Sequence, residues 1–449
     1  MSSKHLVAIF GGAVSGAEAA FQLSQKGINC VVFDQNNLPY GKIEDGLPKW
    51  HSKLRDKEEG KIDEKLSHPL VQFVPGVRLG RDVDFEDIAR NWGFSAVLLA
   101  IGAWKDRPLP VDGAEAYAGK GLIYQNSFIY WFNHKHEPGF DHVAYDIEDG
   151  AIVIGGGLAS LDVLKVLMIE TVQKALKERG HDYNMFQLDR SIAKVLEALG
   201  LTIEDLGIKG CTLYYRRRIQ DMPLSPFPVT SPESLAKAET VRAKVLNNYA
   251  SKYLFKVEQQ HVPVSTIIED GRLAGLVFKE TSIENGRAIA IDGSEKEVRA
   301  PYIISSIGSI PEMIEGIPSK GSSFKIIEDP SCRIEGYENV FAIGNTVTGR
   351  GNIKESMSHG REISIRLMAQ HIDTIDTSVF EDGVEDNRSH IADEIDGIIP
   401  HIKAISESDF EALRKRIGGM QEANGYDGDY KAWVAGHLPV RLETIVGGH

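Results

Sequence analysis

Short, wholly apolar runs recur along the chain, each closed by a glycine or polar turn, and several lead into segments with helical spacing of apolar residues. LVAIF (Leu6 to Phe10) has the unbroken apolar character of a strand covered on both faces, as in a parallel sheet. GAEAAFQLSQKG (Gly16 to Gly27) continues as a helix that stops at Gly27, and INCVVFD (Ile28 to Asp34) is the next strand. The same order returns in AIVIGGGLASLDVLKVLM (Ala151 to Met168). Its second strand, CTLYYRRR (Cys211 to Arg218), is delayed by a largely helical insertion between roughly Glu170 and Gly210. Three further buried strands are FSAVLLAIGAW (Phe94 to Trp104), YIISSIG (Tyr302 to Gly308) and VFAIGN (Val340 to Asn345). No helical pattern separates the last two, so both are expected back in the first sheet.

The pattern predicts an α/β protein with two Rossmann-like dinucleotide-binding domains, the second inserted into a discontinuous first one. Residues 1–115 and 301–375 would form the first domain and 116–300 the second, with a helical C-terminal extension over 376–449. Within these bounds, VQFVPGVRLGRDV (Val71 to Val83) predicts a strand and a hairpin. HVPVSTIIEDGRLAGLVFKETSIENGRAIAIDG, with its DG and NG pairs, predicts an antiparallel excursion completing the second domain. KWHSKLRDKEEGKIDEK (Lys49 to Lys65) mixes charges of both signs and is expected as a solvated helix. The acidic tail is open to three readings: it caps a domain, pairs subunits into a homo-oligomer, or does neither.

Candidate chemistry lies in the two glycine turns. In GGAVSG, residues Gly11, Gly12, Ala13, Ser15 and Gly16 lead from strand to helix, where a pyrophosphate is held by backbone N–H groups and the positive helix end. Asp34 closes the following strand, where a carboxylate accepts hydrogen bonds from ribose hydroxyls and argues for an unphosphorylated ribose, as in FAD or NAD. Ala13 replaces the usual middle glycine, a change the compact Gly12 and Gly16 are expected to tolerate. In GGGLAS, Gly155, Gly157, Leu158, Ala159 and Ser160 stand at the corresponding positions. No acid ends the strand that follows; Arg216, Arg217 and Arg218 do. Guanidinium groups match a ribose 2'-phosphate, so the second nucleotide is expected to be NADP(H).

Composition narrows the classes. The chain has 449 residues, enough for two or three domains, and a net charge of -14, which excludes a general nucleic-acid binder. Cys30, Cys211 and Cys332 are isolated, so no CxxC redox pair, thiolate cluster or disulfide framework is expected. With no apolar run of spanning length, no membrane role and a cytoplasmic setting are expected, and no metal site is read.

These residues together resemble the two-dinucleotide-domain flavoproteins: adrenodoxin reductase, related ferredoxin-NADP reductases and the small subunit of glutamate synthase. GGAVSGAEAA resembles the FAD pyrophosphate turn, and PYGKIEDGLPKWH (Pro39 to His51) the segment that crosses the FAD. LLAIGAW resembles the crossover to the second domain, and VFAIGNTVTGRGNIKESMSHG the last FAD block. NSFIYWFN is similar to the adrenodoxin reductase branch, and LYYRRRIQDMP to the glutamate synthase branch. The resemblance covers roughly residues 5 to 370 and leaves the tail outside.

The resemblance implies bound FAD and NADP(H), hydride transfer from nicotinamide C4 to flavin N5, and onward release of single electrons to a ferredoxin-like carrier. It implies FAD contacts at Gly41, Lys42, Leu79, Gly102 and Trp104, and in the last block at Gly344, Asn345, Asn352 and Ile353. His51 is the one catalytic candidate, set against the flavin or the carrier, its alternative being a surface histidine beside Trp50. Two departures stand out. Asn345 replaces the usual aspartate, and the cysteine-rich extension of glutamate synthase small subunits is absent. Two rival roles remain: an NADPH-oxidising subunit serving a larger redox enzyme, and a non-enzymatic flavin-binding regulator.

Overall fold

A computed structural model describes residues 4–224, 231–327, 331–347 and 375–446. The chain divides into two compact units. The first comprises residues 1–47, 51–105 and 309–440; the second comprises 48–50, 106–308 and 441–449.

The first unit is built on a five-stranded sheet in the order Val340–Ala342, Ala96–Leu99, Leu6–Phe10, Asn29–Phe33 and Val71–Val74. All four pairings are parallel. The opening strand is buried at every position, as its apolar run requires. One face carries Ala17, Ala20 and Leu23 of helix Val14–Gln25, with Ile391, Ile395 and Ile398 of helix Ile375–Ile398. The other carries Phe85 and Ile88, with Phe410, Leu413 and Ile417 of helix Glu407–Ala423. Part of the C-terminal extension therefore completes both cores of this unit.

Helix Ser52–Leu66 corrects the expectation of a solvated helix. Leu54, Ile62 and Leu66 are buried, and so are Arg55, Glu58 and Glu59. Arg388 pairs with Glu58 and lies 3.9 Å from Glu18, and Glu18 pairs with Lys65. Glu58, which looks solvated along the sequence, is neutralised from a helix 330 residues away.

The second unit has its own five-stranded sheet, ordered Leu122–Tyr124, Ile303–Ser306, Ile152–Gly155, Thr212–Tyr215 and Lys256–Gln259. The antiparallel excursion follows as expected, with His261–Glu269 against Arg272–Glu284 and two shorter strands on the latter. The strand Ile303–Ser306 needs a second correction. It pairs with Leu122–Tyr124 and Ile152–Gly155 in this sheet, not with the first sheet. An all-apolar parallel strand fits any buried sheet, and here the gap between two strands of the second unit takes it. The expected hairpin over Val71 to Val83 reduces to one strand and an isolated Leu79–Val83 bridge.

Candidate nucleotide sites

At the first turn, the glycines are set by close approaches. Gly11 has φ +101°, and a Cβ there would lie 2.4 Å from the Ala100 carbonyl oxygen. At Gly16 a Cβ would lie 1.8 Å from the Gly11 carbonyl oxygen, so helix and turn meet with no room for a side chain. Ala13 sits at the helix N-cap with φ -70°, a conformation any residue adopts. Its methyl group faces Gly41, where a Cβ would stand 2.9 Å away. The departure at Ala13 is thus matched by a glycine on the segment that crosses in front of it.

The carboxylate of Asp34 is buried and braces the turn: it accepts from the Gly12 N–H at 2.8 Å and the Asn36 N–H at 2.9 Å. Each oxygen keeps a further lone pair for a ribose hydroxyl. Burial pushes this carboxyl up to about 6, against the lowering effect of the two N–H donors. A raised carboxyl favours the protonated folded state, so its contribution to stability is present below about 3.8 and lost as pH rises through about 6. We expect flavin-stripped wild type to lose a few degrees of melting temperature relative to Asp34→Asn between pH 4 and 6, as thermal denaturation would show. A gain over that range would contradict the burial argument.

Other expected contacts gather around this turn. Lys42 Nζ lies 3.1 Å from Ser309 Oγ and 5.6 Å from the centre of the Trp104 ring, and that ring reaches Gly41. The Gly102 N–H donates to Thr346 Oγ1 at 3.0 Å. Gly344 abuts Ser15, whose Oγ would be 2.2 Å from a Cβ there, and its N–H donates to Glu394 at 3.0 Å. Asn345 is exposed beside it. Asn352 and Ile353 lie outside the described residues. Leu79 differs, since its side chain belongs to the apolar core with Phe10 and Phe33. His51 is buried at the end of a short helix, which removes the reading of a surface histidine.

The sequence did not flag Thr346, Ser309 or Glu394. Thr346 had a signal, lying in the VFAIGNTV block; the other two are brought in by folding alone.

At the second turn, Gly155 packs against the Ser306 carbonyl, where a Cβ would be 2.5 Å away. Gly156 lies under the Tyr215 ring, where a Cβ would be only 2.3 Å from a ring carbon. Gly157 has open space around it and caps helix Leu158–Glu178, whose first turn includes Leu158, Ala159 and Ser160. Ser160 is buried and donates to the Gly157 carbonyl at 2.6 Å, closing the turn on itself. Neither this helix nor Val14–Gln25 has a side-chain cap or an acidic residue in its first turn. Both helix ends therefore suit an anion such as a pyrophosphate.

The arginines separate into distinct roles. Arg218 is paired with Asp221 at 2.7 Å and approaches Glu239 at 3.8 Å. Arg217 donates to the Gly286 carbonyl of the antiparallel excursion. Arg216 is exposed, with no side-chain ion pair among the described residues, and its carbonyl accepts from Thr281 Oγ1 at 2.8 Å. The strand tip is thus held by the excursion while the Arg216 guanidinium is presented outward.

All three cysteines are buried and outside any disulfide among the described residues, and burial raises the thiols of Cys30 and Cys211. Neither is suited to thiolate chemistry. No helix among the described residues is long and apolar enough to cross a membrane.

The two parallel-sheet units and their glycine turns define the fold of the two-dinucleotide-domain flavoproteins, the group that the sequence resembles. The chain is 24% identical over 376 residues to the NADPH-ferredoxin reductase FprA of Mycobacterium leprae, covering 76% of this chain and 78% of that one. It is 22% identical over 349 residues to the mitochondrial NADPH:adrenodoxin oxidoreductase of Arabidopsis thaliana, covering 70% and 69%. A glutamate synthase small chain of Mycobacterium tuberculosis is 24% identical over 71% of this chain, which spans 56% of that relative's length. The solved structure of Mycobacterium tuberculosis FprA in complex with NADPH superposes with a TM-score of 0.65 and 18% identity, over 93% of this chain and 91% of that one. That share exceeds the part of the chain before residue 376. The tail, expected outside the resemblance, is thus partly included in the shared fold. No family model matches the chain.

Proposed function

We propose that this protein is an FAD-dependent NADPH oxidoreductase that passes electrons to a one-electron carrier of the ferredoxin type. The observation that carries the reading is the opposite ribose chemistry at two uncapped helix ends: a buried carboxylate, Asp34, after the first turn and an outward guanidinium, Arg216, after the second. FAD fits the first turn, where Gly11, Gly12 and Gly16 bring backbone against a pyrophosphate and Asp34 has acceptor capacity for the ribose. NADPH fits the second, where Gly157 leaves space for phosphate and Arg216 meets the 2'-phosphate. The bound cofactors supply hydride transfer; the chain's part is to hold and orient them.

The NADPH-ferredoxin reductase and NADPH:adrenodoxin oxidoreductase relatives support both the nucleotide and the carrier. The inserted second domain, a cytoplasmic setting and the absence of membrane and nucleic-acid partners complete the proposal. Delivery to a larger enzyme is the second reading, favoured by the glutamate synthase small chain similarity. An anaerobic titration tests the primary one. The purified protein should be yellow and bleach with NADPH at a concentration about 100-fold below that needed with NADH. Equal response to both would overturn the NADP assignment, and colourless protein that takes up no added FAD would overturn the flavin.

A further inference from the structure

Besides Glu394, which accepts from the Gly344 N–H, the C-terminal extension ties its helices Glu407–Ala423 and Tyr430–His437 to the chain around the ends of the strands Asn29–Phe33 and Val71–Val74. Trp433 Nε1, on helix Tyr430–His437, donates to the Asn37 carbonyl at 2.7 Å. On the same helix, the Tyr430 hydroxyl donates to Asp63 at 2.8 Å, and that carboxylate also accepts from Tyr40 at 3.1 Å. Asn424 donates to the Pro75 carbonyl at 2.8 Å, and Gln421 to the Phe73 carbonyl at 2.7 Å. The loops are joined to each other, since the Gly76 N–H donates to the Asn36 carbonyl at 3.2 Å.

Asn36 is the residue whose N–H braces Asp34. A continuous path therefore runs from Trp433 through Asn37 and Asn36 to the carboxylate at the end of the second strand. In a doubly wound sheet the ribose of the bound dinucleotide meets that acid, and the base lies beyond it, over the loops at the carboxyl ends of the strands. The tail thus grips the backbone on which the adenosine half would rest. Its grip is local, because Tyr40 anchors the far end of the same loop to the same Asp63 that Tyr430 holds.

We propose that Trp433 and Tyr430 are positioning residues for the adenosine end of the first nucleotide: they fix the Asp34 to Tyr40 loop in the shape that presents Asp34 to the ribose. This rests on the reading of the first site as an FAD site. It gives the extension a defined role, retention of the flavin, that is separable from electron transfer. Trp433→Phe removes the N–H donor and reduces the indole to a single ring, keeping an aromatic side chain toward Tyr426 and His437. Tyr430→Phe removes only the hydroxyl.

Full-length, flavin-stripped protein is titrated with FAD, and turnover with NADPH and a ferricyanide acceptor is measured at saturating FAD. Either variant should weaken FAD binding by about tenfold, with faster FAD release and kcat within about twofold of wild type. Tyr40→Phe should behave as Tyr430→Phe does, since both release the same carboxylate. Unchanged FAD affinity in all three variants would overturn the proposal. So would a parallel fall in affinity and kcat that tracks a lower folded fraction by circular dichroism, which marks a merely structural role. Wild-type protein that takes up no FAD would instead overturn the flavin reading, and the proposal with it.

Discussion

Gly16→Val should abolish the yellow colour of the purified protein, weakening FAD binding by more than about 100-fold, while NADPH binding at the second turn stays within about threefold of wild type. The reason is steric. A Cβ at residue 16 would lie 1.8 Å from the Gly11 carbonyl oxygen, a backbone atom that has no rotamer to retreat into. Helix Val14–Gln25 would have to withdraw from the turn, carrying with it the N–H groups aimed at the pyrophosphate. Asp34 would lose its register on Gly12 as the turn opened. The second turn has its own close contacts, Gly155 on Ser306 and Gly156 on Tyr215, none of which involves residue 16. Visible absorbance after reconstitution with excess FAD, together with fluorescence titration of NADPH, checks both halves. Retained flavin would mean that the dinucleotide does not bind at this turn.

The contrast between what the sequence revealed and what it hid follows from the range of the interactions. The opening strand, its glycine turn and the helix after it are specified within about thirty residues by local rules: an apolar run, a turn that tolerates no side chain, a helix ended by glycine. These rules also located Asp34 and the arginines, because a strand tip is fixed by its own strand. The residues of the strand Ile303–Ser306 say only that it is buried; which neighbours it meets is set by strands at 122–124 and 152–155. Helix Ser52–Leu66 hides its burial for a related reason. Glu58 has the look of a solvated residue until Arg388 comes to it from the far end of the chain.

The site shows the same division. Gly41 could be named from resemblance, but its reason, the methyl group of Ala13 opposite, is a contact between two segments. Ser309 and Glu394 join the candidate first site through hydrogen bonds spanning 267 and 50 residues, and no local pattern marks such partners. The tail is the extreme case. Trp433 reaches Asn37 across 396 positions, and nothing in GYDGDYKAWVAGH announces that its backbone partner is the loop beside Asp34.

Arg216→Ala combined with Arg217→Ala should lower the preference for NADPH over NADH by about 100-fold or more, nearly all of it as weaker NADPH binding, with NADH affinity within about threefold of wild type. Each charge-assisted hydrogen bond to a phosphate contributes roughly 1.5–3 kcal/mol, and a ribose without the 2'-phosphate makes neither. The two residues are not equivalent. Arg217 already donates to the Gly286 carbonyl, so part of its donor capacity is engaged before a nucleotide arrives, whereas the Arg216 guanidinium has no ion pair among the described residues. Arg216→Ala alone should therefore account for the larger share. Arg218→Ala should leave the preference nearly unchanged, because that guanidinium is held by Asp221 and lies near Glu239. The remaining attraction is between exposed charges, so raising the salt concentration should narrow the wild-type preference and have little effect on the double variant. Anaerobic titration of flavin reduction with each nucleotide, at two ionic strengths, measures all of this. A double variant that still discriminates as wild type does would place the 2'-phosphate away from the end of the strand Thr212–Tyr215 and undo the assignment of the second nucleotide.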